Sequence, residues 1–147
     1  RLCAGLEGTG TDLSEEALQV AGENARRLGA RVSFVQGDLF EPVSGKYDCI
    51  VSNPPYIASR EVDALMEEVR GHEPRMALDG GEDGLYFYRK IAVQSPKYLK
   101  DRGRIFLEIG FDQGEAVAGL LAPAFDEVRI VQDLAGLDRV VCGILRS

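Results

Sequence analysis

The sequence predicts an α/β protein with a mostly parallel sheet and an antiparallel pair of strands at its end. Three observations carry this. Strand-like segments at 8–13, 31–40, 47–53 and 104–110 alternate with segments of helical spacing. Three of the strands close on a polar side chain, Asp12, Asp38 and Asn53. The last two strand-like segments, 127–133 and 139–145, are joined by the short "LAGLD" stretch, which is too brief for the crossover that parallel strands need.

The elements follow in order. "GTGTDL" (8–13) is a short strand that runs into Ser14, Glu15 and Glu16. Ser14 can cap a helix, and the two acids suit its positive end. Ala17, Val20, Ala21, Asn24, Ala25 and Leu28 recur at helical spacing, and Gly29 supplies the stop. "RVSFVQGDLF" (31–40) alternates and turns polar at Gly37-Asp38, and residues 42–45 make a connection. "YDCIVSN" (47–53) is apolar enough to be a central strand. A polar, irregular region runs on to Gly84, with a helical piece over 61–70. Residues 85–95 form a helix with Leu85, Tyr88, Ile91 and Ala92 on one face, and Pro96 marks a break near its end. "RIFLEIG" (104–110) is a strand and "QGEAVAGLLA" (113–122) a helix stopped by Pro123.

Composition narrows the function classes. A chain of 147 residues, 45% hydrophobic and 28% charged, suits one soluble globular domain. It shows neither a bilayer-length apolar segment nor a signal-peptide pattern, so a cytoplasmic address without a membrane anchor is the expectation. Cys3, Cys49 and Cys142 are widely spaced among apolar neighbours, with a single histidine in the chain. Free buried thiols, and no zinc site, are the expectation. A net charge of −7 disfavours a nucleic-acid partner held by its phosphates.

Ligands of such sheets sit beyond the carboxyl ends of the strands, so Asp12, Asp38 and Asn53 point to one shared crevice. Either aspartate alone can be a helix cap or turn former. As a set they have a functional reading, in which Asp12 accepts from a nucleoside ribose and Asp38 from the exocyclic amine of adenine, with Leu39 against the ring.

Asn53-Pro54-Pro55-Tyr56 is more specific. Two prolines restrict the backbone, remove two donors and bias Asn53 away from the helical region. The result is a rigid acceptor site, where the Asn53 side-chain oxygen and the Pro54 carbonyl can hold both hydrogens of a planar NH2 group and Tyr56 can lie over its plane. Such a nitrogen is a poor nucleophile because its lone pair is delocalised. Holding both hydrogens aims the lone pair at an electrophile and stabilises the developing positive charge without a side-chain base. The plain alternative is a proline-rich loop that only ends a strand.

"SNPPYI", with "GDLF" before it and "HEPRMALDGGEDGL", "FYRKI", "LEIG", "QGEAV" and "DLAGLDRVV" after it, resembles the HemK/PrmC-type release-factor glutamine methyltransferases over residues 8–145. The Asn-Pro-Pro-Tyr motif is shared with methyltransferases acting on adenine amines, whereas "HEPRMALDGGEDGL" is the discriminating stretch. The resemblance implies a Rossmann-like class I methyltransferase sheet, S-adenosylmethionine as cofactor, and a peptide-chain release factor as substrate, methylated on the glutamine amide nitrogen of its Gly-Gly-Gln motif. It further implies that Asn53, Pro54, Pro55 and Tyr56 bind that amide, with Asn53 also near the cofactor, while Asp12, Asp38 and Leu39 hold ribose and adenine.

His72, Glu73 and Pro74 fall in the family's "HEP" signature. Methyl transfer to an amide needs no imidazole, so His72 reads as a hydrogen-bonded organiser, and Glu108 as a buttress of the sheet. "LDGGEDG" carries three acids, which argues for a mobile or turn-forming segment rather than a phosphate loop.

One departure from the family stands out. Its members have a first strand ending in an Asp-x-Gly-x-Gly-x-Gly loop, and none is found here. "GLEGTGTD" (5–12) has three glycines, but the spacing from Asp12 through one helix to "RVSFVQGD" makes it the approach to the second strand. The rival assignment, that it is the first loop, stays open. On the favoured assignment residues 1–7 are the tail of a preceding helix, and residues 1–147 form a single C-terminal catalytic domain truncated at its N-terminus. Two other functions remain beside the favoured one: an amino-methyltransferase acting on adenine in DNA or RNA, and a non-catalytic fragment of such a domain.

Overall fold

The computed structural model describes residues 5–68 and 75–147, and the chain divides into two compact units, Arg1–Gly45 and Lys46–Ser147. The first unit is a strand, β1 (Glu7–Asp12), a helix, α1 (Glu15–Leu28), and a second strand, β2 (Arg31–Gln36). The strands pair in parallel from Glu7↔Arg31 to Asp12↔Gln36, the geometry that a helical crossover permits. Both predicted ends of α1 are present. The Ser14 hydroxyl accepts from the Ala17 amide at 3.1 Å, and Gly29 takes the left-handed conformation, φ 62°, that closes the last turn.

The apolar face expected of α1 is not buried. None of its residues is, and Val20 and Leu28 are 58% and 71% exposed. A two-stranded sheet is too narrow to cover a helix of this length. What it does cover is Phe34. This ring lies against the bare backbone of Gly10, its cross-strand partner, where an added Cβ would stand 2.8 Å from it. Residues 5–7 are not a helix tail: Gly5 turns at φ 99° and Glu7 already belongs to β1.

The second unit runs β3 (Tyr47–Ser52), α2 (Ser59–Glu68), α3 (Tyr86–Gln94), β4 (Leu99–Glu108), α4 (Gly114–Leu121), β5 (Phe125–Gln132) and β6 (Asp138–Leu145). Short 3-10 turns occupy Arg75–Ala77 and Ser95–Lys97, the latter holding Pro96. The sheet order is β3-β4-β6-β5. β3 and β4 are parallel, while β4-β6 and β5-β6 are antiparallel, as the short final connection requires. The sheet of the first unit is parallel and that of the second is mixed, the strand directions expected of an α/β chain with an antiparallel pair at its end.

Two expectations are corrected. β3 is an edge of its four-stranded sheet rather than a central strand, paired among the described residues with β4 alone, and Val51 is 77% exposed. Cys49 on this edge is free and exposed rather than buried, and Cys142 is free and half-buried; Cys3 lies outside the described residues. β4 also begins earlier than predicted. Arg102, at φ 58°, and Gly103 form an irregularity across which the register passes from Tyr47↔Leu99 to Cys49↔Arg104.

The core of this unit follows from strand and helix periods. Ile105 and Leu107 of β4, with Ile109 just beyond, share one face and are fully buried. Tyr88 and Ile91 of α3, Val117 and Leu121 of α4, Phe125 of β5 and Val141 of β6 are buried with them. Each such aliphatic side chain contributes about 1.5–3 kcal/mol relative to an exposed one. This core fixes the carboxyl end of β4 against α3, where the Tyr88 hydroxyl donates to the Glu108 carbonyl at 2.7 Å.

Candidate functional site

Asn53 follows the last residue of β3 directly and is exposed, whereas Pro54 behind it is buried and Pro55 and Tyr56 are half-buried. The motif thus presents its asparagine outward on a proline-stiffened turn at the strand's carboxyl end. What holds the turn comes from farther along the chain. Ile57 donates its amide to the Leu78 carbonyl at 3.1 Å, and Gly80 returns its own to the Ile57 carbonyl at 2.8 Å. This makes a short parallel bridge, Ile57↔Asp79. The Ser59 amide donates to the Gly81 carbonyl at 2.9 Å.

Asp79 organises this bridge. Its Oδ1 accepts from the Ser59 hydroxyl at 2.7 Å and from the Gly81 amide at 3.0 Å, and its Oδ2 from Arg75 Nε at 3.2 Å. The Ser59 hydroxyl first, then the Gly81 amide, hold its carboxyl below the usual carboxylate range. "LDGGEDG" is therefore turn-forming, and its glycines allow a close approach. A Cβ on Gly80 would stand 2.8 Å from both the Pro55 carbonyl oxygen and Tyr56 Cα, and one on Gly84 would run into the Tyr56 carbonyl oxygen. Both glycines are buried.

A third segment closes the arrangement. Gln113, ahead of α4, accepts from the Gly110 amide at 3.0 Å through Oε1. Its Nε2 donates to the Tyr56 carbonyl at 2.9 Å and to the Gly84 carbonyl at 3.3 Å. One side chain thereby ties the motif, the glycine-rich turn and the end of β4 together. Glu108, the last residue of β4, is half-buried and anchors α3 through its backbone carbonyl. Burial, with Tyr56 and Glu108 adding, pushes the Tyr88 phenol far above the ordinary tyrosine range, so it remains a proton donor.

In the first unit, Asp12 ends β1 and is exposed. Its Oδ1 accepts from the Ser14 amide at 2.8 Å, so the turn-forming role weighed for it is real. Asp38 lies two positions beyond the end of β2, and its carbonyl accepts from the Glu41 amide at 3.0 Å. Leu39 is held at φ 49°, a left-handed conformation that a branched side chain rarely adopts. The Thr11 hydroxyl on β1 donates to the Leu39 carbonyl at 2.9 Å and fixes this turn. Strain sustained by a specific bond is a common mark of a ligand-contacting loop. The first unit thus offers an exposed hydrogen-bond acceptor, the Asp12 carboxylate, at one strand end and a rigid, half-buried apolar side chain, Leu39, past the next.

His72, Glu73 and Pro74 lie outside the described residues. Among the described residues no group of three or more His, Cys, Asp or Glu side chains can hold a metal ion, and no helix is long and apolar enough to cross a membrane. Sequence reasoning missed Gln113, Gly80 and Gly84 as parts of the site. The signal for Gln113 was its place at the N-cap of α4, where Ser, Thr, Asp or Asn would be usual. Its side chain makes no cap bond and instead joins the nearby Gly110 amide to two distant carbonyls, those of Tyr56 and Gly84.

The chain is 48% identical over 141 residues to a release factor glutamine methyltransferase of Bacillus subtilis, covering 92% of this chain and 49% of that protein. It spans about half the length of the curated relatives it matches. Its fold is similar to that of a protein-(glutamine-N5) methyltransferase, release factor-specific, from Alicyclobacillus acidocaldarius. That match has a TM-score of 0.54 at 28% identity and covers 100% of this chain and 84% of that one. A methyltransferase from Pyrococcus furiosus superposes with a TM-score of 0.70 at 19% identity, covering 94% of this chain and 62% of that one. The resemblance read in the motifs is thus matched by relatives and by fold. The family model described as methyltransferase small domain matches residues 3–82, more than half of the 147, and the chain belongs to that family.

Proposed function

We propose that this chain carries the methyl-transfer site of an S-adenosylmethionine-dependent enzyme that methylates the side-chain amide nitrogen of the glutamine in the Gly-Gly-Gln motif of peptide-chain release factors. The observation that carries the reading is the Asn53-Pro54-Pro55-Tyr56 turn, exposed at Asn53, buried at Pro54 and clamped from behind by Gly80, Gly84 and Gln113. A clamped turn offers the Asn53 side-chain oxygen and the Pro54 carbonyl as a preorganised acceptor pair for the two amide hydrogens. The Tyr56 ring covers the amide plane. Acceptors that need no reorganisation stabilise the positive charge developing on nitrogen, which is where such a site gains most.

When bound, S-adenosylmethionine supplies an electrophilic methyl carbon on a sulfonium. Asp12 would hold the ribose hydroxyls, with one oxygen already engaged by the turn, while Asp38 and Leu39 hold the adenine. The Asn53 side chain and the Pro54 carbonyl would hold the substrate amide with its lone pair toward that methyl group, which the cofactor would give up on becoming a neutral thioether. The alkylated nitrogen then loses one proton to water, so no imidazole is needed. The substrate belongs to translation, and a cytoplasmic setting goes with it. The acidic net charge of −7 gives no support to an oligonucleotide substrate.

The test is mass spectrometry of a release factor and an adenine-containing oligonucleotide, each incubated with S-adenosylmethionine and the full natural chain, with Asn53→Ala as control. A single methyl on the Gly-Gly-Gln glutamine, absent in the control, is the expected result. Methyl on adenine, or on neither, overturns the proposal.

A further inference from the structure

We propose that Gln113 is a positioning residue that sets the aim of the amide-binding turn, acting on the rate of transfer and not on cofactor affinity; this rests on the function proposed above. Its side chain is half-buried between three backbone segments. The two ends of its amide are used in opposite senses. Oε1 accepts from Gly110, just beyond β4, while Nε2 donates to the carbonyls of Tyr56 and Gly84. Only a group with an acceptor and a donor at this reach can join all three. The joined carbonyl at Tyr56 belongs to the residue that closes the motif, and the buried backbone of Gly80 lies so close to Pro55 and Tyr56 that a Cβ on it would stand 2.8 Å from both. The turn is therefore fixed immediately behind the Pro54 carbonyl, one of the two acceptors for the substrate NH2. Misplacing a reacting group by about 1 Å can cost on the order of 100-fold in rate. Release of the Tyr56 carbonyl is a displacement of that kind, and it occurs wholly within the second unit, whereas Asp12, Asp38 and Leu39 belong to the first.

Two variants of the full natural chain test this, Gln113→Met, which keeps length but has no hydrogen bonds, and Gln113→Glu. An ionised glutamate turns an acceptor toward two carbonyls. A protonated one restores a donor to Tyr56 and an acceptor for Gly110, so its deficit is pH-dependent. With a Gly-Gly-Gln peptide, both variants are expected to lose kcat by about 10- to 100-fold at saturating cofactor. S-adenosylmethionine Kd should stay within about twofold, and the Gln113→Glu deficit should shrink as the pH is lowered from about 8 toward 6, as a glutamate facing two carbonyls titrates above its free value of about 4.3. A merely structural role would not produce that pH dependence.

The proposal is overturned if either variant keeps kcat within about twofold, if the loss appears in cofactor Kd, or if the Gln113→Glu deficit is independent of pH. If the unmutated chain does not methylate the peptide, the proposed function fails by itself. Hydrogen exchange at the amides of Tyr56, Ile57 and Ser59 then decides the positioning role: faster exchange in Gln113→Met upholds the lock on the turn, and unchanged exchange overturns it.

Discussion

Gly80→Ala isolates the clamp on the amide-binding turn. Gly80 is buried and its φ is not in the left-handed range, so alanine brings no backbone penalty of the kind that attends Gly81 at φ 87° or Gly84 at φ 73°. The new methyl meets backbone: the Pro55 carbonyl oxygen and Tyr56 Cα at 2.8 Å, and Gly84 Cα at 2.9 Å. Ordinary contact begins at 3.4 Å, so the turn must retreat by about 0.6 Å. Two of these atoms lie within the motif itself, and none is the flexible end of a side chain that can swing away. Overpacking of this type costs about 1–3 kcal/mol. For a domain of this size that corresponds to a fall in Tm of about 3–10 °C.

The displacement also moves the Pro54 and Asn53 acceptors. At about 100-fold for 1 Å, a shift of this extent predicts a loss of roughly tenfold in kcat. The assay is methyl transfer to a Gly-Gly-Gln peptide at saturating S-adenosylmethionine, read beside calorimetry for cofactor Kd and thermal unfolding. The expected pattern is lower Tm, lower kcat and unchanged Kd. A variant with wild-type kcat and Tm would refute the clamp, because a Cβ at this position cannot fit unless the turn and the glycine-rich segment are apart. Wild-type kcat with lowered Tm would mean that the turn's position does not govern the chemistry.

Asp12→Asn retains an oxygen for the Ser14 amide but loses the charge, so Tm should hold while S-adenosylmethionine Kd rises about tenfold, the magnitude of one charge-assisted bond; unchanged Kd in calorimetry would leave Asp12 a turn former only. Thr11→Val removes the bond to the Leu39 carbonyl, and a net hydrogen bond of about 0.5–1.5 kcal/mol predicts a cofactor Kd about 2- to 10-fold weaker, restored by Thr11→Ser. Tyr88→Phe leaves the Glu108 carbonyl without its 2.7 Å donor and should destabilise the chain by about 1–2 kcal/mol in denaturant unfolding; no change would remove α3 from the support of the β4 end. The Arg89 guanidinium first, and the Leu85 amide, lower the Asp83 carboxyl from 3.8 to about 2. A folded-state value below the unfolded one gives stability that is present above about pH 4 and lost as pH falls toward 2. Asp83→Asn should flatten that part of the midpoint-against-pH curve.

Much of the first unit was legible because its signals are local. Ser14 by its hydroxyl and Gly29 by its left-handed backbone specify the ends of α1, and Asp12 ends its strand as the spacing implied, with Asp38 two positions past the end of the next. The antiparallel β5-β6 pair was fixed by a connection too short for anything else. What failed was burial. Val20, Leu28, Val51 and Cys49 all read as inward residues, and all are exposed. Apolar periodicity says which face wants cover, not whether a neighbour is there to provide it. A two-stranded sheet and an edge strand leave such faces open, and no local pattern encodes that.

The candidate site divides along the same line. The proline pair announces a rigid turn in four letters, because its restriction is written into the residues themselves. The parts that make the turn rigid in a particular place are separated from it by long stretches of chain: Gly80 and Gly84 by the whole of α2, Gln113 by α3 and β4. Their letters were read by local rules, as a turn-forming run and as the first residue of a helix, and each local reading was sound. A glycine in a turn and a glycine that admits a carbonyl at contact distance are the same letter, and a glutamine before a helix does not say what its amide touches. Yet the choice of glutamine over a capping residue at the N-cap of α4 costs helix stability, and a residue that is locally inferior is retained where a distant contact repays it. That mismatch is the trace a tertiary role leaves in a sequence, and here it falls on the side chain that joins the proline motif to the rest of its support.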